Sequence, residues 1–162
     1  MLAPARPAPF LRLENARLMA LGIPAALLAG AIGSQYLGGL APCEMCYWQR
    51  YAHGAAMVPA LLALATAGRP ATSRLLTLLA ALGIAVSGAI GIFHAGVEAG
   101  LWEGVTTCTS NAVSMEDILA APLVRCDEVQ WSLLGISMAG WNAIVSLGSA
   151  ALIALAARRS HA

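Results

Sequence analysis

A pair of cysteines separated by two residues stands between two long uncharged stretches of the chain. The pair lies in the segment Pro42-Cys43-Glu44-Met45-Cys46-Tyr47-Trp48-Gln49-Arg50. Thiols at this spacing form and break a disulfide readily, and one of them can have a lowered pKa, so the motif is typical of dithiol redox sites. The same spacing also suits a structural disulfide or half of a zinc site. The motif alone leaves these uses equally open.

The residues around the motif bear on its chemistry. Residues 42–45 are predicted to open a helix, and the free N–H groups and the helix dipole there favour a thiolate. Arg50 adds a positive charge one turn later, while Glu44 between the cysteines opposes both effects.

The composition of the whole chain is that of a membrane protein. Of the 162 residues, 59% are hydrophobic and 10% are charged, whereas soluble domains carry roughly a quarter charged residues. All nine basic residues are arginines, and the net charge of +1 says nothing about partners. The sequence has no basic stripe with interleaved aromatic residues, which argues against nucleic-acid binding.

Four stretches with few or no charges approach the roughly 20 residues that a helix needs to cross a bilayer. The sequence therefore predicts an all-α membrane protein, in which residues 1–162 form a single domain built on a bundle of four transmembrane helices. The predicted helices are residues 18–38, 45–67, 74–96 and 132–156. A cleaved signal peptide is the alternative for the first stretch. Its apolar run is longer than a signal core, so we favour a retained helix.

Most of the arginines fall on one side of these helices. Seven of the nine lie before the first helix, between the second and third, or after the fourth: Arg6, Arg12, Arg17, Arg69, Arg74, Arg158 and Arg159. The positive-inside rule makes this side cytoplasmic, with both termini inside. Cys43, Cys46, Cys108 and Cys126 then all lie outside a bacterial inner membrane, where disulfides persist. This shared location favours redox chemistry over metal binding.

A long loop, residues 97–131, joins the third and fourth predicted helices on the outer side and carries six acids. Ser114 and Asp117 have the spacing of a capping box, so the sequence predicts a short helix here that lies on the membrane surface. A loop that becomes ordered only on a partner is the alternative interpretation. Cys108 and Cys126 lie on either side of this segment.

Small residues recur at every fourth position along the third predicted helix. They are Gly83, Ser87, Gly91 and Ala95. Small side chains let the backbone of a neighbouring helix approach closely, so this pattern predicts a compact bundle rather than a chemical site.

Three residues that carry or can carry a positive charge lie inside the predicted helices, away from the helix ends that carry the seven arginines. Arg50 follows Cys46 by one helical turn, and a buried arginine is costly unless it is paired. It either extends to the outer lipid phosphates or supplies a cation that polarises a carbonyl or stabilises a thiolate. His94 lies at a similar depth and is either a core histidine or a second functional residue. His53, two turns deeper than Cys46, is interpreted as packing.

Taken together, the chain resembles the bacterial disulfide bond formation protein B (DsbB) family over about residues 15–156. The resemblance rests on the four helices, the two outer cysteine pairs and three segments: Gln49-Arg50 after the first pair, His94-Ala95-Gly96-Val97-Glu98, and Cys126-Asp127-Glu128 followed by Trp131 and Leu134-Gly135-Ile136-Ser137. The loop between the second pair of cysteines is shorter than in the best-known members.

The resemblance implies a protein-thiol:quinone oxidoreductase that crosses the bacterial inner membrane several times. A soluble periplasmic DsbA-like oxidase would pass its electrons to a Cys108–Cys126 disulfide, with Cys108 forming the mixed disulfide. Cys126 would then exchange with Cys43, which leaves Cys46 as the thiolate beside a bound ubiquinone or menaquinone.

The resemblance further implies that Arg50 helps to hold the quinone, with His94 as a second candidate, and that no metal is bound. The expected partners are the DsbA-like oxidase, membrane lipids and the quinone. Three alternatives remain. They are a quinone-reducing thiol enzyme of the vitamin K epoxide reductase type, a non-enzymatic bundle stapled by two disulfides, and a four-cysteine metal site.

Overall fold

The computed structural model describes residues 12–106 and 124–159, and α-helices make up most of them. The elements are α1 (Leu13–Tyr36), α2 (Glu44–Ala65), α3 (Pro70–Glu98), β1 (Ser132–Leu133), β2 (Ile136–Ser137) and α4 (Met138–Arg159). Successive helices run antiparallel, so the ends of α1 and α3 meet the starts of α2 and α4 at one end of the bundle. The cysteine motif, at the start of α2, lies at that end. Cys108 and the predicted surface helix lie outside the described residues.

Three of the helices in the described part, α1, α3 and α4, are long and apolar enough to cross a membrane. This confirms the prediction of an all-α membrane protein. Gln49, Arg50 and His53 lower the mean hydropathy of α2, so a fourth membrane span stays a prediction.

Small residues fill the interior of the bundle, and large apolar residues cover its outside. The main buried cluster contains Ala16, Ala20, Ala56, Ala60, Ala80, Ala81, Ile84, Ala150, Ile153 and Ala156. Leucine, isoleucine and valine side chains of all four helices are instead exposed on the outer surface. Lipid tails are as apolar as leucine, so helices in a bilayer associate through close packing of small residues. The distribution is that of a bundle surrounded by lipid.

The small residues of α3 make the predicted close contacts. A Cβ atom added at Gly91 would lie 2.9 Å from the Ala139 carbonyl oxygen of α4, and one added at Gly83 would lie 2.8 Å from the Ala56 Cβ of α2. Both positions therefore need glycine for the helices to approach this closely, which confirms the prediction of a compact bundle.

The fourth helix begins at Met138, so the predicted start at residue 132 is wrong. Residues 132–137 form an antiparallel hairpin in which Ser132 pairs with Ser137. Its two turn residues, Leu134 and Gly135, have φ angles of 54° and 78°, a conformation that matches the twist of short hairpins. Ser137 then caps the helix, because its hydroxyl accepts a hydrogen bond from the Gly140 N–H at 3.1 Å. An apolar stretch without charges does not reveal such a turn.

The other helices also differ from the uncharged stretches at their ends. Helix α1 begins at Leu13 and α3 begins at Pro70, several residues before the predicted starts at 18 and 74. The absence of charge marks the part of a helix that suits lipid, whereas the backbone continues as helix into the polar region.

Candidate functional site

The two cysteines of the motif open α2 and lie against each other. Cys43 is the N-cap residue, and its Sγ accepts a hydrogen bond from the Cys46 N–H at 3.3 Å. Both cysteines are free thiols, and Cys43 Sγ donates to Cys46 Sγ across 2.9 Å. The prediction that residues 42–45 open a helix is confirmed. The sulphur atoms are close enough for a disulfide to close with little movement of the backbone.

The proton of the pair belongs to Cys43. The hydrogen bond to Cys46 and the burial of the side chain both raise the pKa of the Cys43 thiol above its ordinary value. Cys46 is then the acceptor of that hydrogen bond, one helical turn before the positive charge of Arg50. This arrangement makes Cys46 the sulphur that carries negative charge in the reduced pair.

His94 of α3 contacts the pair from the other side. Its side chain is buried, and its Nε2 lies 3.5 Å from Cys43 Sγ and 3.8 Å from Glu98 Oε1. Its Nδ1 lies 3.0 Å from the Gln49 side-chain nitrogen. The structure thus brings the predicted residue His94 into direct contact with the cysteine motif.

Two backbone carbonyls fix the direction of the hydrogen bonds around His94. Gln49 Nε2 is 3.2 Å from the Met45 carbonyl and Asn142 Nδ2 is 3.1 Å from the Ser87 carbonyl. A carbonyl can only accept, so both side-chain nitrogens are correctly oriented as donors. Asn142 Nδ2 also donates to Gln49 Oε1 at 2.7 Å. Gln49 therefore donates to His94 Nδ1.

It follows that the neutral His94 ring carries its proton on Nε2. This is the atom that faces Cys43 Sγ. With its proton on Nε2, the neutral ring can donate a hydrogen bond to Cys43 Sγ.

The polar contacts continue deeper into the bundle. His53 Nε2 lies 2.9 Å from Asn142 Oδ1, and Ser146 Oγ donates to the same oxygen at 3.0 Å. His53 is therefore a buried, hydrogen-bonded residue, and its interpretation as packing was incomplete. Sequence reasoning also missed Asn142 and Ser146, whose only signal is polarity within an apolar helix.

The guanidinium of Arg50 is held by α1. Nη1 donates to Gln35 Oε1 at 2.6 Å and Nη2 to the Ala31 carbonyl at 2.9 Å. The guanidinium carbon also lies 5.5 Å from the centre of the Tyr47 ring, within the range of a cation–π contact. These contacts hold the cation of Arg50 against α1, one helical turn beyond Cys46.

A cavity of about 270 Å³ lies beside these groups, between α1, α2 and α4. Its α1 wall is largely apolar and includes Ala26, Leu27, Leu28, Gly30 and Ala31. Its polar boundary includes Cys43, Cys46, Gln49, Arg50, His53, His94, Glu98 and Asn142. A mostly apolar cavity with a few fixed polar groups is typical of a site for a small organic ligand.

Cys126 reaches the cysteine motif from the loop before the hairpin. It is disulfide-bonded and fully buried, and it packs in one cluster with Cys43, Met45 and Val97. Of the second predicted cysteine pair, the structure therefore places Cys126 next to the first pair. Cys108 lies outside the described residues.

A four-cysteine metal site does not fit this arrangement, because a disulfide-bonded Cys126 offers no thiolate ligand. In the described ranges, the group with metal-ligand spacing is Cys43, Cys46 and His94, whose ligand atoms lie within 4.8 Å of one another. The 2.9 Å between the two sulphur atoms is shorter than the roughly 3.8 Å that separates two thiolates bound tetrahedrally to one zinc ion.

Comparison with known proteins gives one family. The family model "Disulfide bond formation protein DsbB" matches residues 14–156. A protein named Disulfide bond formation protein B from Azoarcus sp. (strain BH72) is 31% identical over 140 residues, which cover 81% of this chain and 83% of that protein.

Proteins with the same name from two other organisms are similar to the chain. The one from Polaromonas naphthalenivorans (strain CJ2) is 31% identical over 160 residues, 88% of this chain and 91% of that protein. The one from Marinobacter nauticus (strain ATCC 700491 / DSM 11845 / VT8) is 30% identical over 135 residues, 74% of this chain and 77% of that protein. No solved structure gives a significant match. The chain belongs to the disulfide bond formation protein B family.

Proposed function

We propose that this protein reoxidises a periplasmic DsbA-like dithiol oxidase and passes the electrons to a membrane quinone. Its family makes it an oxidoreductase of disulfide-bond formation. The observation that carries the finer proposal is the position of the Cys43–Cys46 pair. Both cysteines line a largely apolar cavity, and both pack in one buried cluster with the disulfide-bonded Cys126.

The cavity fits a quinone in its chemistry. Its walls are apolar, as a lipid-soluble ring requires, and Cys46 and Arg50 both line it. Arg50 has five N–H donors, and two named contacts hold it in place, so further donors remain for a ring oxygen. A bound quinone would supply the acceptor for the two electrons and two protons that a dithiol loses when its disulfide forms.

The protein's own residues provide the path to that cavity by two thiol–disulfide exchanges. The thiolate of the partner attacks Cys108, which forms a mixed disulfide and releases Cys126 as a thiolate. Cys126 attacks Cys43 in the oxidised Cys43–Cys46 pair, and Cys46 leaves as the thiolate. Each exchange replaces one S–S bond by another. Two further exchanges complete the transfer: the partner's second thiolate displaces Cys108 and the partner leaves oxidised, and Cys108 then displaces Cys43 from Cys126, which leaves Cys43 and Cys46 reduced. The packing of Cys126 against Cys43 supports this order.

The position of the proton in the reduced Cys43–Cys46 pair supports the last step, in which Cys46 passes electrons to the quinone. The raised pKa of Cys43 keeps the proton on that sulphur once the pair is reduced. Cys46 is therefore the thiolate that lines the cavity. Arg50, which also lines it, lies one helical turn further along α2.

Bound quinone is the direct test of this function. Organic extraction of the purified protein, followed by chromatography, should yield ubiquinone or menaquinone in an amount comparable to that of the protein. A stapled structural bundle predicts no quinone. Absence of quinone from protein that is folded in mild detergent, together with failure to reduce added quinone, would contradict the proposal.

We further propose that the chain is one domain of the bacterial inner membrane with α2 as its fourth span. Both termini then lie in the cytoplasm and all four cysteines in the periplasm. Arg17 and Arg74 lie near the starts of α1 and α3, at the opposite end of the bundle from Cys43. The positive-inside rule assigns the arginine-bearing end to the cytoplasm.

Thiol labelling should report this orientation. After reduction of intact spheroplasts, a membrane-impermeant maleimide should label a variant that retains only Cys108. As a matched control, a cysteine introduced at the exposed Gly68, between α2 and α3, should react only after the membrane is opened. The opposite pattern of labelling would invert the topology.

A further inference from the structure

His53 lines the cavity and has a buried ring nitrogen without a hydrogen-bond partner among the described residues. The residue lies two helical turns below Cys46 on α2 and lines the cavity, and it is 3% exposed. Its Nε2 contacts Asn142 Oδ1 at 2.9 Å and Ser146 Oγ at 3.4 Å. Its Nδ1 has no hydrogen-bond partner among the described residues. A buried polar atom without a partner is destabilising, so a group that binds here can gain by satisfying it.

The contacts of Asn142 decide what Nδ1 needs. Asn142 Nδ2 donates to the Ser87 carbonyl at 3.1 Å, so Asn142 Oδ1 is an acceptor. His53 Nε2 must then donate to it and carries the proton of the neutral ring. Nδ1 is left with a lone pair, which requires a hydrogen-bond donor as its partner.

We propose that His53 Nδ1 accepts a hydrogen bond from a ring hydroxyl of the reduced quinone. This inference rests on the proposed function and assigns a further residue to its site. The oxidised ring offers oxygen acceptors only, whereas the reduced ring carries hydroxyl donors. His53 therefore makes the cavity bind the reduced form more tightly than the oxidised form.

The position of His53 suits this role. It follows Arg50 by three residues, a rise of about 4.5 Å along the helix, and both residues line the cavity. Arg50, which has only donors, suits an oxygen acceptor, and His53 suits a hydroxyl. The two residues thus offer opposite hydrogen-bonding properties to one ring.

Tighter binding of the reduced form also affects the redox equilibrium. By linkage, a tenfold preference for the reduced ring raises the reduction potential of the bound two-electron couple by about 30 mV. His53 in this way favours the transfer of electrons out of Cys46.

The alternative is that His53 only connects α2 to α4 through the hydrogen bond of its Nε2. The substitution His53→Gln distinguishes this structural role from binding of the quinol by Nδ1. The glutamine side-chain amide extends to the position of Nε2 and can still donate to Asn142, but it has no atom equivalent to Nδ1. Ser146→Ala is the matched control, because it removes a contact of Nε2 and leaves Nδ1 in place.

The test measures binding without electron transfer. In a Cys43→Ala/Cys46→Ala background, decylubiquinone and its quinol are titrated separately, and their binding is followed by quenching of tryptophan fluorescence, since Trp131 and Trp141 line the cavity. His53→Gln should weaken quinol binding about fivefold to tenfold, the effect of one neutral hydrogen bond, and change quinone binding less than about twofold. Ser146→Ala should keep the preference for quinol.

Each other outcome has a defined meaning. Unchanged quinol binding in His53→Gln, equal weakening of both forms, or the same loss of preference in Ser146→Ala would overturn the role of Nδ1. If the parent bound neither form, the quinone function itself would fail, and the role of His53 with it. His53→Leu, which also removes Nδ1, carries the same expectation if the glutamine variant does not fold.

Discussion

Replacing Cys126 by alanine should reduce steady-state turnover with the reduced partner to background. Cys108 is then a lone thiol, so the partner's thiolate has no disulfide to attack and electrons cannot enter the protein. Cys126 is fully buried and packs against Cys43, so no other described sulphur is placed to replace it. Oxidised partner supplies a disulfide that the Cys108 thiolate can attack, so non-reducing electrophoresis after mixing with oxidised partner should show a covalent complex, which dithiothreitol should separate.

The matched variant Cys43→Ala should behave differently. Its outer pair can accept electrons from the partner once, but it cannot pass them on, so a single stoichiometric exchange should occur without turnover and without accumulation of the mixed disulfide. Removing a disulfide can also destabilise a protein by a few kcal/mol, so thermal unfolding in detergent should accompany both assays. Full turnover in either variant would refute the order Cys108, Cys126, Cys43, Cys46.

Arg50→Ala should raise the apparent KM for quinone by roughly one to two decades. This range corresponds to the loss of a hydrogen bond from a charged donor, about 1.5–3 kcal/mol. The exchange between the partner and Cys108 should be unaffected, because it takes place before electrons reach the cavity. The measurement is quinone reduction at varied quinone, beside a single-turnover assay of thiol exchange.

Two further variants separate the charge of Arg50 from its contacts with α1. Arg50→Lys should restore the KM only in part, since an ammonium lacks the planar fork of a guanidinium. Gln35→Ala removes the Nη1 partner and keeps the cation, so it should change the KM by about threefold or less, as for a single hydrogen bond at a partly buried site. If Gln35→Ala and Arg50→Ala had equal effects, Arg50 would only connect α1 to α2.

Much of the fold followed from the sequence because the membrane imposes simple rules. Uncharged stretches located the helices, and the spacing of Gly83 and Gly91 predicted their close packing. The hairpin of residues 132–137 did not follow, because Leu134 and Gly135 lie in a run that is apolar enough for a helix. The turn depends on backbone angles and on the hydrogen bond that Trp141 donates to the Leu133 carbonyl at 3.1 Å. Neither can be read from the composition of the segment.

The residues of the candidate site could likewise be predicted only in part from the sequence. The cysteine motif, Arg50 and His94 were recognisable because each is unusual at the edge of an apolar helix. The contact of His53 with Asn142 joins residues 89 positions apart in the chain, and the contact of Asn142 with Gln49 joins residues 93 apart. Polar residues so far apart cannot be paired from one sequence, since their meeting depends on how α2, α3 and α4 are rotated about their axes.

The amide groups of Gln49 and Asn142 separate the two imidazoles, and this separation has a consequence for protons. A continuous row of polar side chains from His94 to His53 has the form of a conducting wire, but a carboxamide neither releases nor takes up a proton under ordinary conditions. Because the carbonyls of Met45 and Ser87 hold both amides in one orientation, the row cannot reverse its direction either. The row therefore does not conduct protons. His94 at the thiols and His53 deeper in the bundle gain and lose protons independently.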